Sequence, residues 1–258
     1  MVRLSEGEPS VNTPSPENET APAPEAGIVL GAPVEGPPAR PPVPVTLEGR
    51  FVRIVPFDVA RHGPDLFALS HGAQKEALWA YMSAGPFADL YAFTLHYAEA
   101  ATKADPLLLA IEETGSGRAV GHACYMRVEP KHRVVEVGNI LFTPALQRRP
   151  GGTEAMYLMA RHAFETLGFR RYEWKCNALN AGSRRAAERL GFSFEGLFRQ
   201  HMIIKGRNRD TAWFALLDGE WPRAKAAFEA WLDPANHDAE GRQRRTLAEL
   251  RATLVERS

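Results

Sequence analysis

Apolar positions change their period several times along the chain, and each change marks an element. Residues 45–55 read as a strand broken by a tight turn at Gly49. Helices are predicted near residues 64–70 and 87–102; the second carries Leu90, Phe93, Leu95, Tyr97 and Ala98 on a buried face. Strand-like runs follow at 107–112, 119–128 and 133–142. Turns at Gly115-Ser116-Gly117 and Glu129-Pro130-Lys131 join them into an antiparallel meander. Next, Met156, Met159, Ala160, Ala163, Phe164 and Leu167 recur at spacings of three and four, which predicts a long amphipathic helix. A strand at 171–176, a short helix ending at Leu190-Gly191-Phe192, and strands at 194–199, 201–205 and 211–217 complete the series. This order predicts an α/β fold: a mixed, mostly antiparallel sheet with helices on both faces, plus C-terminal helices.

The C-terminal helices come from two stretches. Residues 224–232 carry Ala227, Phe228 and Trp231 and stop at Asp233-Pro234. A charged segment, 239–256, places Leu247, Leu250 and Leu254 at helical spacing, either to pack on the domain or to serve a homodimer. Residues 1–44 differ from the rest, being rich in Pro, Glu, Ala, Gly and Ser; too little apolar area is available there to offset chain entropy, so disorder with polyproline character is expected. The expected organisation is therefore a tail at 1–44, a folded domain at 45–222 and a helical extension at 223–258.

Charge and cysteine usage narrow the function. Lys plus Arg and Asp plus Glu both total 31, a balance that disfavours a nucleic-acid partner. The two cysteines, Cys124 and Cys176, sit inside strand-like runs and read as buried reduced thiols. The eight histidines show no repeated ligand spacing, so no metal is expected. Neither a bilayer-spanning run nor a leader pattern occurs, and a cytoplasmic protein without a membrane partner is the simplest expectation.

Candidate chemistry is concentrated between the third meander strand and the long helix. Gln147, Arg148, Arg149, Pro150, Gly151 and Gly152 form a short loop that opens directly into the helix. Such a junction aims unpaired backbone N–H groups and the positive helix end at one point, which suits a diphosphate. Gly151 and Gly152 would let a phosphate approach the main chain, and Arg148 and Arg149 would add charge. Neither the triphosphatase nor the dinucleotide glycine string is present.

Several further residues complete a pattern: Glu136-Val137-Gly138, the loop from Gln147 to Thr153, Asn180 with Ser183, and Gly191-Phe192. Downstream stand Phe194 to Arg199, Lys205-Gly206-Arg207, Arg209-Asp210 and Glu220-Trp221. Over residues 45–221 the chain resembles the GNAT acyltransferase superfamily, in particular the branch of ribosomal-protein N-terminal acetyltransferases. The resemblance implies an N-acetyltransferase with acetyl-CoA as cosubstrate and a primary amine, of a protein N-terminus or a small molecule, as acceptor. It places Ile140, Leu141 and Phe142 along the pantetheine arm, and Gln147, Arg148, Arg149, Gly151, Gly152 and Thr153 at the diphosphate. Asn180 and Ser183 would lie by the thiol.

Acyl transfer also needs a path for the amine proton and for protonation of the thiolate. The tyrosine that serves as acid in many relatives is replaced by Ala187; Ser183 matches the serine that the resemblance to the ribosomal branch implies as the thiolate's acid, with an N-cap as its structural role. The glutamate of the ribosomal branch is replaced by Met202. Glu136 matches the place where other members of the superfamily carry a carboxylate and is the first candidate base, with His201 the second. Pro150 removes one N–H from the loop, and Arg209-Asp210 reads as an ion pair or turn. With Met202, Ala187 and Pro150 together, the alternative is a non-catalytic acyl-CoA-binding module.

Overall fold

The computed structural model describes residues 30–253, and of these residues 37–253 group into one compact unit. Eight strands form one sheet in the order β1-β2-β3-β4-β5-β6-β8-β7. They are β1 (Leu47–Glu48), β2 (Val52–Pro56), β3 (Leu107–Glu113), β4 (Ala119–Glu129), β5 (Val134–Phe142), β6 (Arg171–Asn177), β7 (Ser193–Ile204) and β8 (Arg207–Leu217). Every neighbouring pair is antiparallel except β5 and β6. The expected meander is β3-β4-β5, as its turn residues specified.

Two apolar layers cover the sheet. Helices α1 (Val59–Ser70) and α2 (Leu90–Ala101) bury Leu66, Phe93 and Tyr97 with Leu108, Ala110, Cys124 and Leu141 on one face. On the other face α3 (Pro150–Arg161), α4 (Ala181–Leu190), α5 (Trp221–Leu232) and α6 (Leu247–Thr253) close over Leu109, Tyr125, Val135, Val137, Tyr172 and Trp174. Strand alternation sends successive residues to opposite layers. Val135 and Val137 therefore face α3, while Glu136 between them faces the α1/α2 side.

Local chemistry moves several expected boundaries. Helix α1 starts before Pro64 because Asp58 caps it, its Oδ1 accepting from the Ala60 and Arg61 amides. The strands expected at 194–199 and 201–205 are one strand, β7, interrupted by a bulge where Gln200 adopts φ 51 and gives its N–H to the Asp210 carboxylate. Helix α3 is buried on every side from Gly151 to Ala160, where a half-exposed amphipathic helix was expected. The reason is α5: Tyr157 stacks on Trp221 and donates to Glu229, and these bonds settle positions that would otherwise need water.

Helix α6 begins at Leu247, so the expected helical run does not start at 239. Residues ahead of it fold as a loop in which Asp238 accepts from the Glu240 and Arg242 amides and Asn236 bridges Trp231 and Arg245. Leu247 and Leu250 are buried in the same core as α5, so these two leucines are occupied within the chain; Leu254 lies outside the described residues. At the other end, Ala39 is buried, and the Ala39 and Arg40 amides donate to the Pro130 and Leu167 carbonyls. The ordered chain thus reaches back into the expected tail, because two backbone bonds and a small apolar side chain hold it; residues 1–29 lie outside the described part. Among the described residues no helix is long and apolar enough to cross a membrane.

Candidate active site

Strands β5 and β6 pair only over Val134–Glu136 and Arg171–Glu173. Beyond these three rungs they separate, and the main-chain groups of residues 137–142 on that side lose their strand neighbour. A bulge against β4 sharpens the divergence: His122 faces Leu141 and Cys124 faces Gly138, with Asn139 at φ 49 between. The gap opens into a cleft of about 1300 Å³ lined by both layers of the molecule. Ile140, Leu141, Phe142, Gln147, Arg148, Arg149, Gly152, Thr153, Asn180 and Ser183 all line it, as does Glu136. The structure brings these sequence-derived candidates together.

The loop before α3 leaves donors free. Thr143 accepts from the Leu146 and Gln147 amides, and Arg149 from that of Gly152. Among the described residues the Arg148 and Arg149 amides make no hydrogen bond. Arg149 is the N-cap residue and Pro150 the first helical residue, a position where a missing N–H costs nothing. Arg148 adopts φ 57 to make the turn. Gly151 has a different role from the one expected. A Cβ there would stand 2.8 Å from Val52 Cγ1, so Gly151 lets α3 sit on β2 and does not line the cleft. Glu154 secures the same contact by accepting from the Arg50, Phe51 and Val52 amides.

Asn180, not Ser183, caps α4: its Oδ1 accepts from the Ser183 amide at 3.0 Å. Ser183 Oγ accepts from the Trp174 indole N–H at 3.0 Å, which fixes the hydroxyl beside Cys176 at the cleft wall. Ala187, on α4, is fully buried and does not line the cleft.

Glu136 is almost fully buried, with Lys175 Nζ at 3.1 Å and Arg127 Nε at 3.3 Å from its Oε2. Burial pushes its pKa up to about 7, against the pull of those two cations. Gly138 makes room for it: a Cβ there would meet Met126 Sδ at 2.6 Å and Glu136 Oε1 at 2.8 Å. A carboxylate that titrates near neutrality at the mouth of a strand gap is suited to take a proton.

His201 does not join this group. Its Nδ1 pairs with Thr211 Oγ1 at 2.9 Å, its ring packs on Phe198 and Trp213, and it does not line the cleft. Desolvation lowers its pKa, with Lys175, Arg209 and Arg127 adding to the effect. Met202 lines the cleft as an apolar wall. Arg209 and Asp210 are not an ion pair; Asp210 instead accepts from the Gln200 amide and from Asn208. Burial pushes the Cys124 thiol up to about 12 and raises that of Cys176, so neither is poised as a nucleophile. His122, bonded to Tyr97 at 2.8 Å, is held at a pKa of about 3 by burial and stays neutral.

The sequence reading missed one wall altogether. Trp231, His237, Glu240, Arg242 and Gln243 line the cleft beyond Arg185 and Arg189. Trp231 stands near the end of α5, and the other four come from the irregular segment after it, whose folding depends on side-chain-to-backbone bonds without periodicity. Arg189 reaches Thr153 Oγ1 at 3.0 Å, and its guanidinium lies over the Trp231 ring, joining α3, α4 and α5 around this end. The clue in the sequence was the arginine spacing on α4, where Arg185 and Arg189 lie one turn apart on one face.

Residues 52–193 match the acetyltransferase (GNAT) domain family. A GCN5-related N-acetyltransferase from Brucella melitensis is similar at 45% identity over 84% of this chain and 98% of that one, with a TM-score of 0.82. A probable acetyltransferase of the GNAT family from Chromobacterium violaceum follows at 38% identity, 77% and 100% coverage and a TM-score of 0.70. A ribosomal-protein-serine acetyltransferase from Vibrio cholerae, at 18% identity, 69% and 99% coverage and a TM-score of 0.57, shares the fold. No curated protein matches the chain. Strand gap, helix junction and family match agree: the chain belongs to the GNAT family and is an acyl-CoA-dependent acetyltransferase.

Proposed function

We propose that the chain moves acetyl from acetyl-CoA to a primary amine by direct attack within a ternary complex. The observation that carries the reading is the separation of β5 and β6 with Glu136 at its mouth. A thioester entering from the α3/α4 side would lie along Ile140, Leu141 and Phe142, with its diphosphate at the free amides of Arg148 and Arg149. The amine would enter from the opposite face, where Glu136 stands.

The amine nitrogen attacks the thioester carbonyl, the C–S bond breaks, and an amide and the CoA thiol result. Glu136 takes the proton that the nitrogen loses. Ser183, whose hydroxyl accepts from Trp174, would give its proton to the thiolate and regain one from solvent. Holding both reactants in one gap supplies much of the acceleration, because the thioester is already activated. Two buried free thiols fit a reducing compartment, and we assign the protein to the cytoplasm on that ground.

Thiol release from acetyl-CoA across a panel of amines, with mass detection of the acetylated product, tests the reading. Amine-dependent release with a gain of one acetyl group is expected. Tight acetyl-CoA binding without release for any amine would make the chain an acyl-CoA-binding module instead.

A further inference from the structure

Two cations serve Glu136, and both also lie over one aromatic ring. Lys175 Nζ is 5.2 Å and the Arg127 guanidinium carbon 5.3 Å from the centroid of Trp213. Strand register explains how they meet. Glu136 pairs with Glu173, and Glu173 with Ala215, so all three share the α1/α2 side of the sheet. Lys175 and Trp213 form the rung two residues further on, on the same side and about 7 Å along the strands. Arg127 comes from β4, where a bulge between Met126 and Glu129 gives it φ 50. The Asp105 carboxylate holds its amide and that of Val128.

Charge alone does not fix where these cations stand. Both approach Glu136 Oε2, yet among the described residues it takes a well-formed hydrogen bond from neither. Neither cation pairs with another carboxylate there. The Arg127 side chain is half exposed, and an ion pair on so long and wet an arm gains little over the entropy of fixing it. A cation over an indole face gains as much or more. The ring itself is fixed by Phe198 and His201 of β7, with centroids at 5.1 and 6.0 Å. Its Nε1 is shut off from solvent without a hydrogen bond, so the ring, not the N–H, makes the contacts.

The other titratable groups near Glu136 leave the task to this pair. Glu173 is paired with Arg171 at 2.7 Å. Cys124 stays neutral, because burial pushes its thiol up to about 12. His201 is turned to Thr211. Burial raises the Glu136 carboxyl and Glu173 adds to the rise, while Lys175 and Arg127 pull it back.

We infer that Trp213 is a positioning residue for the proposed base: its ring holds Lys175 and Arg127 against the Glu136 carboxylate and through them governs the proton affinity of that group. The inference rests on the transfer reading for the use made of Glu136; the contacts of Trp213 do not depend on it.

Carbon-13 NMR titration of the full chain, labelled at the glutamate side-chain carboxyls, tests it, with Glu136→Gln identifying the signal. Trp213→Leu keeps the site apolar and removes the π face, whereas Trp213→Phe keeps a face. The Glu136 midpoint is expected to rise by about half a pH unit or more in Trp213→Leu, roughly threefold in proton affinity, and to stay nearer the wild type in Trp213→Phe. Arg127→Gln, at a half-exposed side chain, should also raise the midpoint, and Trp213→Leu should add less in that background than in the wild type. An unchanged or lowered midpoint in Trp213→Leu, or equal shifts in Trp213→Leu and Trp213→Phe, overturns the inference. If Trp213→Leu does not fold, a lowered midpoint in Trp213→Phe or an unchanged one in Arg127→Gln overturns it instead. Thiol release from acetyl-CoA is read separately across the amine panel: release unaffected by Glu136→Gln overturns the transfer role of Glu136 and leaves the assignment of Trp213 standing.

Discussion

Replacing Glu136 by Gln is expected to stabilise the protein while disabling it. Glu136 has a pKa of about 7 in the fold against an ordinary 4.5. At about 1.4 kcal/mol for each pH unit between those values, ionised Glu136 weakens the native state by about 3 kcal/mol. Because the folded pKa is raised, the native state binds the proton more tightly than the unfolded chain. The cost is absent below pH 4.5, grows as pH rises through the interval to about 7, and is complete above it. Attraction from Lys175 and Arg127 is already contained in that net figure. Glu136→Gln should therefore gain about 3 kcal/mol over the wild type at pH 8.5, with most of the gain gone at pH 5. Denaturant unfolding at the two pH values measures it. Turnover should fall by about a hundredfold or more, the span of one general base, and the limb of the wild-type kcat/KM profile near pH 7 should disappear. A stability difference independent of pH, or a loss of stability at pH 8.5, would refute the reasoning about burial. An unchanged profile would remove Glu136 from the proton path.

Two other perturbations separate structural from chemical roles. Asn180→Ala should lower stability by about 1 kcal/mol through loss of the α4 cap. Ser183→Ala should lower turnover and also cost about 1–3 kcal/mol, because it leaves the Trp174 indole N–H without an acceptor; kinetics and denaturant unfolding of both variants report this. Removing residues 1–36 should leave the melting temperature and acetyl-CoA affinity unchanged. Extending the deletion through residue 44 should cost about 2 kcal/mol, from two backbone hydrogen bonds and the burial of Ala39.

The sheet and helix α3 were legible because both follow from periodicity. Met156 to Leu167 keep the helical spacing, and the strands of the meander are separated by turn residues. What was not legible depended on contacts distant in sequence. Gly151 is a glycine because β2, about a hundred residues earlier, presses on it, and nothing local distinguishes that from closeness to a phosphate. Cap assignment at α4 required knowing which of Asn180 and Ser183 lies at the helix start, a choice of one turn. His201 stays out of the cleft while Met202 lines it because the β7 bulge at Gln200 resets which side chains face it, and a bulge leaves no periodic signature. The wall from His237 to Gln243 depends on Asn236 and Asp238 bonding to backbone, which composition does not reveal.

The account's central claim is that the β5–β6 gap and the loop before α3 hold acetyl-CoA. Calorimetric titration of the full chain with acetyl-CoA, beside the double variant Arg148→Glu/Arg149→Glu, tests it most directly. Both arginines are exposed, so reversing their charge should leave the melting temperature of the unliganded protein unchanged. One molecule of acetyl-CoA is expected per wild-type chain, with an affinity that falls as salt rises and drops about tenfold or more in the double variant. No binding to the wild type, or equal affinity in both proteins at low salt, would contradict the account.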